Sequence, residues 1–289
     1  MRELPFAKAV AALENATLLD PVVKVVAAVV NGVVRPQALR DVLHGVPIGH
    51  ALHPIQVQVP VGAWTCATIL DLMPGQKKGA RTLVGIGVLG ASTAVISGYT
   101  DWSQLHPQQQ RVGIVHAWLN AAAVGLYAVS YLQRRAGGSG KALGFAGFAA
   151  VSASGYLGGH MAYRQAAGAN HAEDVPHLFP EGWQALAPLD TIPEGIPTHH
   201  LVSEVPLLAV RRGTRVDVLA NACSHLAGPL DQGELTDVKG EACITCPWHS
   251  SVYSLATGQV VHGPSTAPQP KFETRVVSGL VEVMLPGAG

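Results

Sequence analysis

Charge is what this sequence has least of. Only 13 % of its 289 residues are Asp, Glu, Lys or Arg, and they are missing in blocks. Residues 82–100, 112–133 and 142–163 carry none over 19, 22 and 22 positions, and residues 54–70 none over 17. Segments this long without a polar outer face argue against the alternative of a soluble helical bundle and point to lipid. Cysteine is equally scarce. The four present are too few and too scattered for a disulfide framework, and no Cys-x-x-Cys-His occurs, which excludes covalently attached haem c. Residues 1–20 lack an apolar core and contain Glu3, Glu14 and Asp20, so neither a cleavable signal peptide nor a twin-arginine leader is expected. Net charge is zero, but residues 1–165 hold 13 basic against 6 acidic side chains and residues 166–289 hold 6 against 13. Two halves of opposite sign imply two environments, and the acidic half disfavours nucleic acid as a partner.

The charge-free segments predict four membrane helices in a domain spanning 46–165. All are rich in Ala, Gly, Val and Leu, and Gly90, Ala94 and Gly98, like Gly155 and Gly159, recur every four residues. That spacing lets helices approach closely in lipid and would permit a homo-oligomer. Residues 1–45 read as an amphipathic segment lying on the membrane surface. Residues 166–182, rich in Pro, His, Ala and Gly together with the residues just beyond, read as a hinge-like connector. Lys77, Lys78 and Arg81 after the first helix, and Arg134, Arg135 and Lys141 after the third, would lie in the cytoplasm of a bacterial inner membrane. The chain after the fourth helix would then be extracytoplasmic. Four antiparallel helices also gather His50, His53, Asp101, His106, His116 and His160 at one side. Ionisable groups in spans are costly and usually functional. His53, His116 and His160 could ligate a haem b, could bind a quinone whose proton a histidine accepts, or could be polar caps at the interface.

What the sequence has in its last third is a pair of ligand pairs. Cys223-Ser-His225 and Cys246-Pro-Trp-His249 each put a thiolate and an imidazole on a tight loop, with twenty residues between them. Two Cys and two His suit a [2Fe–2S] cluster with Cys on one iron and His on the other, or a Cys2His2 zinc site.

The stretches Asn221-Ala-Cys-Ser-His-Leu-Ala-Gly-Pro-Leu230 and Cys246-Pro-Trp-His-Ser-Ser-Val-Tyr-Ser-Leu-Ala-Thr-Gly258 resemble the Rieske iron–sulfur domain family, as do Gly263-Pro264, Pro268 and Pro270, which look like its proline loop. The resemblance implies an all-β domain over residues 183–289. In it Cys223 and Cys246 hold the inner iron, and His225 and His249 the outer, solvent-facing iron. It departs at Ala227 and Trp248, where quinol-oxidising relatives carry a disulfide, and at Ser250, a common glycine. Ser251 and Tyr253 fall where those relatives hydrogen-bond the cluster and a ligand sulfur, which would raise the potential. Residues around His53-Pro-Ile-Gln-Val-Gln-Val-Pro60, His116 and Leu157-Gly-Gly-His160 resemble a bacterial four-helix membrane family without assigned chemistry.

The expected fold is therefore α+β and multidomain: a four-helix transmembrane bundle followed by an all-β Rieske domain. The expected function is membrane-anchored electron transfer, relaying between haem b or quinol at the histidine cluster and a redox partner protein. The alternative is a ferredoxin-like carrier for an oxygenase or reductase, with the helices as anchor in the lipid. About 40 residues follow His249, too few for a mononuclear iron domain, so an oxygenase catalytic subunit is not expected.

Overall fold

The computed structural model describes residues 5–287. They form two compact units. The chain up to Leu39 and Ala51–Ala167 make a helical unit, and Arg40–His50 joins the chain from Gly168 onward in a β unit.

The helical unit contains α1 (Pro5–Glu14), α2 (Asp20–Val33), α4 (Leu52–Gln56), α5 (Gln58–Leu72), α6 (Lys77–Trp102), α7 (Pro107–Arg135) and α8 (Lys141–Tyr163), while α3 (Gln37–His44) runs across the boundary into the β unit. Helices α5 to α8 close into a ring, each touching the next and α8 touching α5. At its centre Trp64 stacks on Tyr127 with ring centroids 4.3 Å apart. Gly87 and Gly147 make room for that pair: a Cβ on Gly87 would lie 2.2 Å from Trp64 Nε1, and one on Gly147 2.9 Å from the Tyr127 ring. Gly90 and Gly98 admit Val59 and His53 in the same way. Gly155 and Gly159, expected to play that part on α8, face open space, and Gly158 instead receives His116.

The four-helix bundle is present, but four transmembrane spans are not supported. Among the described residues only α6 and α7 are long and apolar enough to cross a membrane, or three spans if α1 and α2, bent by 47° at their junction, count as one. Helix α5 has 15 residues where a span needs about 20. In α8, with 23 residues, five glycines, two serines and His160 dilute the hydropathy. Helix α2 leaves Val22, Val25, Val29 and Val33 exposed in one stripe.

In the β unit the paired strands run antiparallel. A six-stranded sheet runs β1 (Gln184–Pro188), β10 (Leu280–Met284), β9 (Lys271–Val277), β4 (Arg215–Ala220), β3 (Val205–Arg212), β2 (Thr198–Val202). A four-stranded sheet runs β5 (Glu234–Val238), β6 (Glu241–Thr245), β7 (Val252–Ser254), β8 (Val260–His262). Strand β3 is buried on both faces, so its sequence reads as a continuous apolar run. By the two-residue period of a strand, Leu207 and Ala209 enter one core with Val218, Phe272 and Val281. Leu208 and Val210 enter a second core with Leu219, Ile244, Tyr253, Cys223 and Cys246.

Two segments expected elsewhere belong to this unit. Part of the 166–182 stretch, read from sequence as a hinge, is packed: Ala172, Val175 on the short α9 (Val175–Leu178) and Phe179 are buried in the first core. The segment Arg40–His50 docks on the chain around residue 262. Asp41 accepts a hydrogen bond from His262 Nδ1 at 2.9 Å and another from the Gly263 amide at 3.1 Å. A Cβ on Gly263 would meet Val46 and His44 at 3.0 and 3.2 Å, so glycine is what lets this segment lie flush.

Candidate metal centre

The two ligand loops are built alike. In each, the amide of the cysteine donates to the carbonyl five residues on: Cys223 to Gly228 at 2.9 Å and Cys246 to Ser251 at 2.8 Å. In each, the residue four on donates back to the cysteine carbonyl: Ala227 at 2.7 Å and Ser250 at 3.1 Å. Closing so tight a turn drives that residue into the left-handed region, with φ of 58° at Ala227 and 62° at Ser250. This is the physical reason a glycine suits position 250.

The loops bring the thiols together in the second core and the imidazoles together at its edge. Both cysteines are buried, and the rings of His225 and His249 lie 5.1 Å apart at 82°. Trp248 stands beside them, 49 % exposed. All four cysteines are free thiols. Two buried cysteines and two histidines at the edge of the core supply the two ligands at each end that a binuclear cluster needs, so the donor set fits [2Fe–2S].

The electrostatics agree. The thiols are close enough to share a proton, which drives Cys223 up and draws Cys246 down to about 7, helped by the amides of Trp248 and His249. A thiolate is the form that ligates metal. The Tyr253 hydroxyl lies 3.1 Å from Cys223 Sγ, and burial raises its pKa well above the usual phenol range, so it remains a donor. Gly228 is a cradle: a Cβ there would come within 2.9 Å of Cys246 Sγ.

A polar layer behind the loops was not legible from sequence. Ser224 Oγ is 2.9 Å from the Tyr253 hydroxyl and 2.8 Å from Ser265 Oγ, and donates to the Ala267 carbonyl. Gln269 accepts from the Ser224 amide and donates to the carbonyls of Ala220 and Ala222. Ser251 Oγ accepts from the Ser265 amide at 3.0 Å. The 263–270 loop is thereby stitched to both ligand loops. The one sequence signal for this was a glutamine between two prolines.

In the helical unit, His53 Nδ1 donates to the Ala94 carbonyl at 2.8 Å. His116 Nδ1 lies 2.8 Å from the Ser154 carbonyl, and its Nε2 lies 3.0 Å from Asn120 Nδ2. His53 and His116 are near enough to interact electrostatically. His160 Nε2 sits 2.6 Å from Glu14, a partner that sequence reasoning missed. His106 caps α7, and His50 falls in the β unit.

Comparison with known proteins gives these features relatives. Residues 182–273 match the Rieske [2Fe-2S] domain, and residues 49–171 match a family described as "Predicted membrane protein (DUF2231)". The anthranilate 1,2-dioxygenase ferredoxin subunit of Burkholderia cepacia is 29 % identical over 101 residues, covering 35 % of this chain and 90 % of that protein. Ferredoxin CarAc of Metapseudomonas resinovorans is 31 % identical over 100 residues, with the same coverage. A solved ferredoxin of carbazole 1,9a-dioxygenase from Nocardioides aromaticivorans IC177 aligns at 27 % identity over 36 % of this chain and 99 % of its own, with a TM-score of 0.34. The protein is thus a membrane protein and an electron carrier that uses a [2Fe–2S] cluster. The chain belongs to the Rieske [2Fe–2S] domain family through its C-terminal third, fused behind a membrane domain of the DUF2231 family.

Proposed function

We propose that the protein is a membrane-anchored, ferredoxin-like carrier that delivers single electrons to a redox enzyme of the oxygenase or reductase kind. The observation that carries this reading is the asymmetry of the site: two buried thiols behind, two imidazoles and an exposed Trp248 in front. Cys223 and Cys246 would hold the inner iron, and His225 and His249 the outer. A cluster held there supplies one-electron chemistry. The chain's own part is to shape that chemistry. The amides of His225, Trp248 and His249 and the Tyr253 hydroxyl point at the two sulfurs and favour added negative charge. Ser251, buried in the same polar layer, is read as a second donor toward the cluster. The partner is argued from the relatives, among them ferredoxin subunits of dioxygenases.

On this reading the helices are anchor, and His53, His116 and His160 are polar cross-links between helices. Both ring nitrogens of His116 are engaged, by Ser154 and Asn120, and His160 Nε2 by Glu14, which supports that role over haem or quinone ligation. With basic residues 77, 78, 81, 134, 135 and 141 inside, the β unit lies on the extracytoplasmic side only if α8 crosses the membrane as well as α6 and α7. The test is the dithionite-reduced minus oxidised visible spectrum of the detergent-purified protein. Broad bleaching alone is expected. A sharp haem b α-band would replace the anchor with a relay, making those histidines the ligands to examine.

A further inference from the structure

The helical unit holds a basic cavity that neither the cluster nor the anchor accounts for. Its volume is about 280 Å³, and it lies where α6 begins and α7 ends. Lys77, Lys78 and Arg81 line it from α6, Arg134 from α7, and Ser139 from the turn that follows. The four cations are not equivalent. Arg134 forms the floor, buried and held by a two-pronged ion pair to Asp71 on α5, at 2.7 and 2.5 Å, with Ser130 behind it. Lys141 reaches the Asp71 carbonyl and fixes the same corner. Asp71 thus neutralises Arg134. No acidic side chain among the described residues pairs with Lys77, Lys78 or Arg81.

Three uncompensated positive charges therefore face one cavity with a rigid floor. Their placement is unfavourable without an anion. Helix α6 starts with no side-chain cap and no acidic residue in its first turn, and its first two residues are lysines. A helix N-terminus is already the positive end of its dipole, so the lysines add repulsion that an anion would relieve. At the other wall, Arg134 and Arg135 sit at a helix C-terminus, where cations are stabilised.

We propose that this cavity binds a phosphate-bearing anion. In a bundle whose two long apolar helices meet at the cavity, the source the setting supplies is the headgroup of an anionic phospholipid. Lys77, Lys78 and Arg81 would grip the phosphate, and Arg134, held by Asp71, would set its depth. The site rests on the membrane placement of the helical unit, but its anion chemistry does not.

The experiment is native mass spectrometry of the full-length, cluster-loaded protein after exposure to phosphatidylglycerol or phosphatidylcholine, with inorganic phosphate as competitor. Wild type is expected to retain phosphatidylglycerol over phosphatidylcholine. Lys77→Gln/Lys78→Gln/Arg81→Gln should weaken that retention by at least about tenfold while the visible spectrum of the cluster stays the same. Displacement by millimolar inorganic phosphate, which should also bind alone, would keep the site and reassign its source to the free ion. Equal retention of both lipids by wild type and variant, with no phosphate binding, would overturn the proposal. Insertion into neutral phosphatidylcholine vesicles is scored separately. Failure there would remove the membrane placement, and the phosphate arm would still decide the anion site.

Discussion

At the scale of single residues, the clearest lever on function is the Tyr253 hydroxyl. It is buried, stays protonated, and lies within hydrogen-bond distance of Cys223 Sγ. A donor to a ligand sulfur stabilises the more negative, reduced state. Tyr253→Phe should therefore lower the one-electron potential. Loss of roughly 1 kcal/mol of differential stabilisation corresponds to about 40–60 mV, which protein-film voltammetry would resolve. An unchanged potential would mean that the hydroxyl is spent on Ser224, 2.9 Å away. A second lever is strain. Ser250 holds φ at 62° to close its loop, and a left-handed residue with a Cβ costs about 1 kcal/mol more than glycine there. Ser250→Gly should raise the denaturant midpoint for cluster bleaching, by roughly 0.5–1 kcal/mol. A lower midpoint would show that the serine side chain contributes something the backbone argument omits. Both residues were visible in the sequence because the ligand motif is local. Ser224, Ser265 and Gln269 were not, because their partners lie 29 to 49 positions away and only the two prolines flanking Gln269 mark any of them.

Among the elements, β4 carries the one deeply buried carboxylate of the β unit that meets several cations. Asp217 accepts from Arg212 and from Arg215 at 2.9 Å, with Lys271 of β9 at 3.5 Å. Burial alone would raise its pKa, but hydrogen bonds from the arginines and the charge of Lys271 outweigh this and hold it below 3.8. A folded-state pKa below the unfolded value gives stability that is complete above the unfolded pKa and is lost as pH falls through the folded one. Asp217→Asn should therefore cost about 2 kcal/mol at neutral pH, discounted from a fully buried pair because both arginines reach solvent. The deficit should shrink as pH falls below the usual carboxylate range in urea titrations. A deficit independent of pH would assign Asp217 a packing role. Helix α6 shows what periodicity can reveal: its stripe of small residues is a sequence pattern, and it became a packed surface. On α8 the same small-residue spacing misled. Gly155 and Gly159 point to open space, because spacing fixes which residues share a face and not which face meets a neighbour.

For the whole molecule, the telling feature is how often the chain passes between its two units. A single crossing near residue 167 follows from reading the sequence as two domains in tandem. The structure has three, because Arg40–His50 leaves the helical unit, packs into the β unit and returns. That pairing joins Asp41 to His262 across 221 positions, a separation at which sequence carries no signal without a motif. It changes what the region after α8 does. Residues 166–182 look like a hinge in composition, yet Ala172, Val175 and Phe179 are core residues of the β unit. The consequence can be tested by placing a protease site between Ala167 and Gly168 and cleaving the protein in membranes. The head should remain membrane-bound after cleavage. Two hydrogen bonds donated to Asp41 and the contacts of His44 and Val46 with Gly263 still grip it, and Arg40–His50 stays covalently joined to the helices at both ends. Asp41→Ala leaves the His262 ring and the Gly263 amide without that acceptor, at a cost of about 1–3 kcal/mol, and should release a measurable fraction of cleaved head. Prompt, complete release of the wild-type head would mean that the docked segment is not a clasp, and that the connector alone holds the carrier to its anchor.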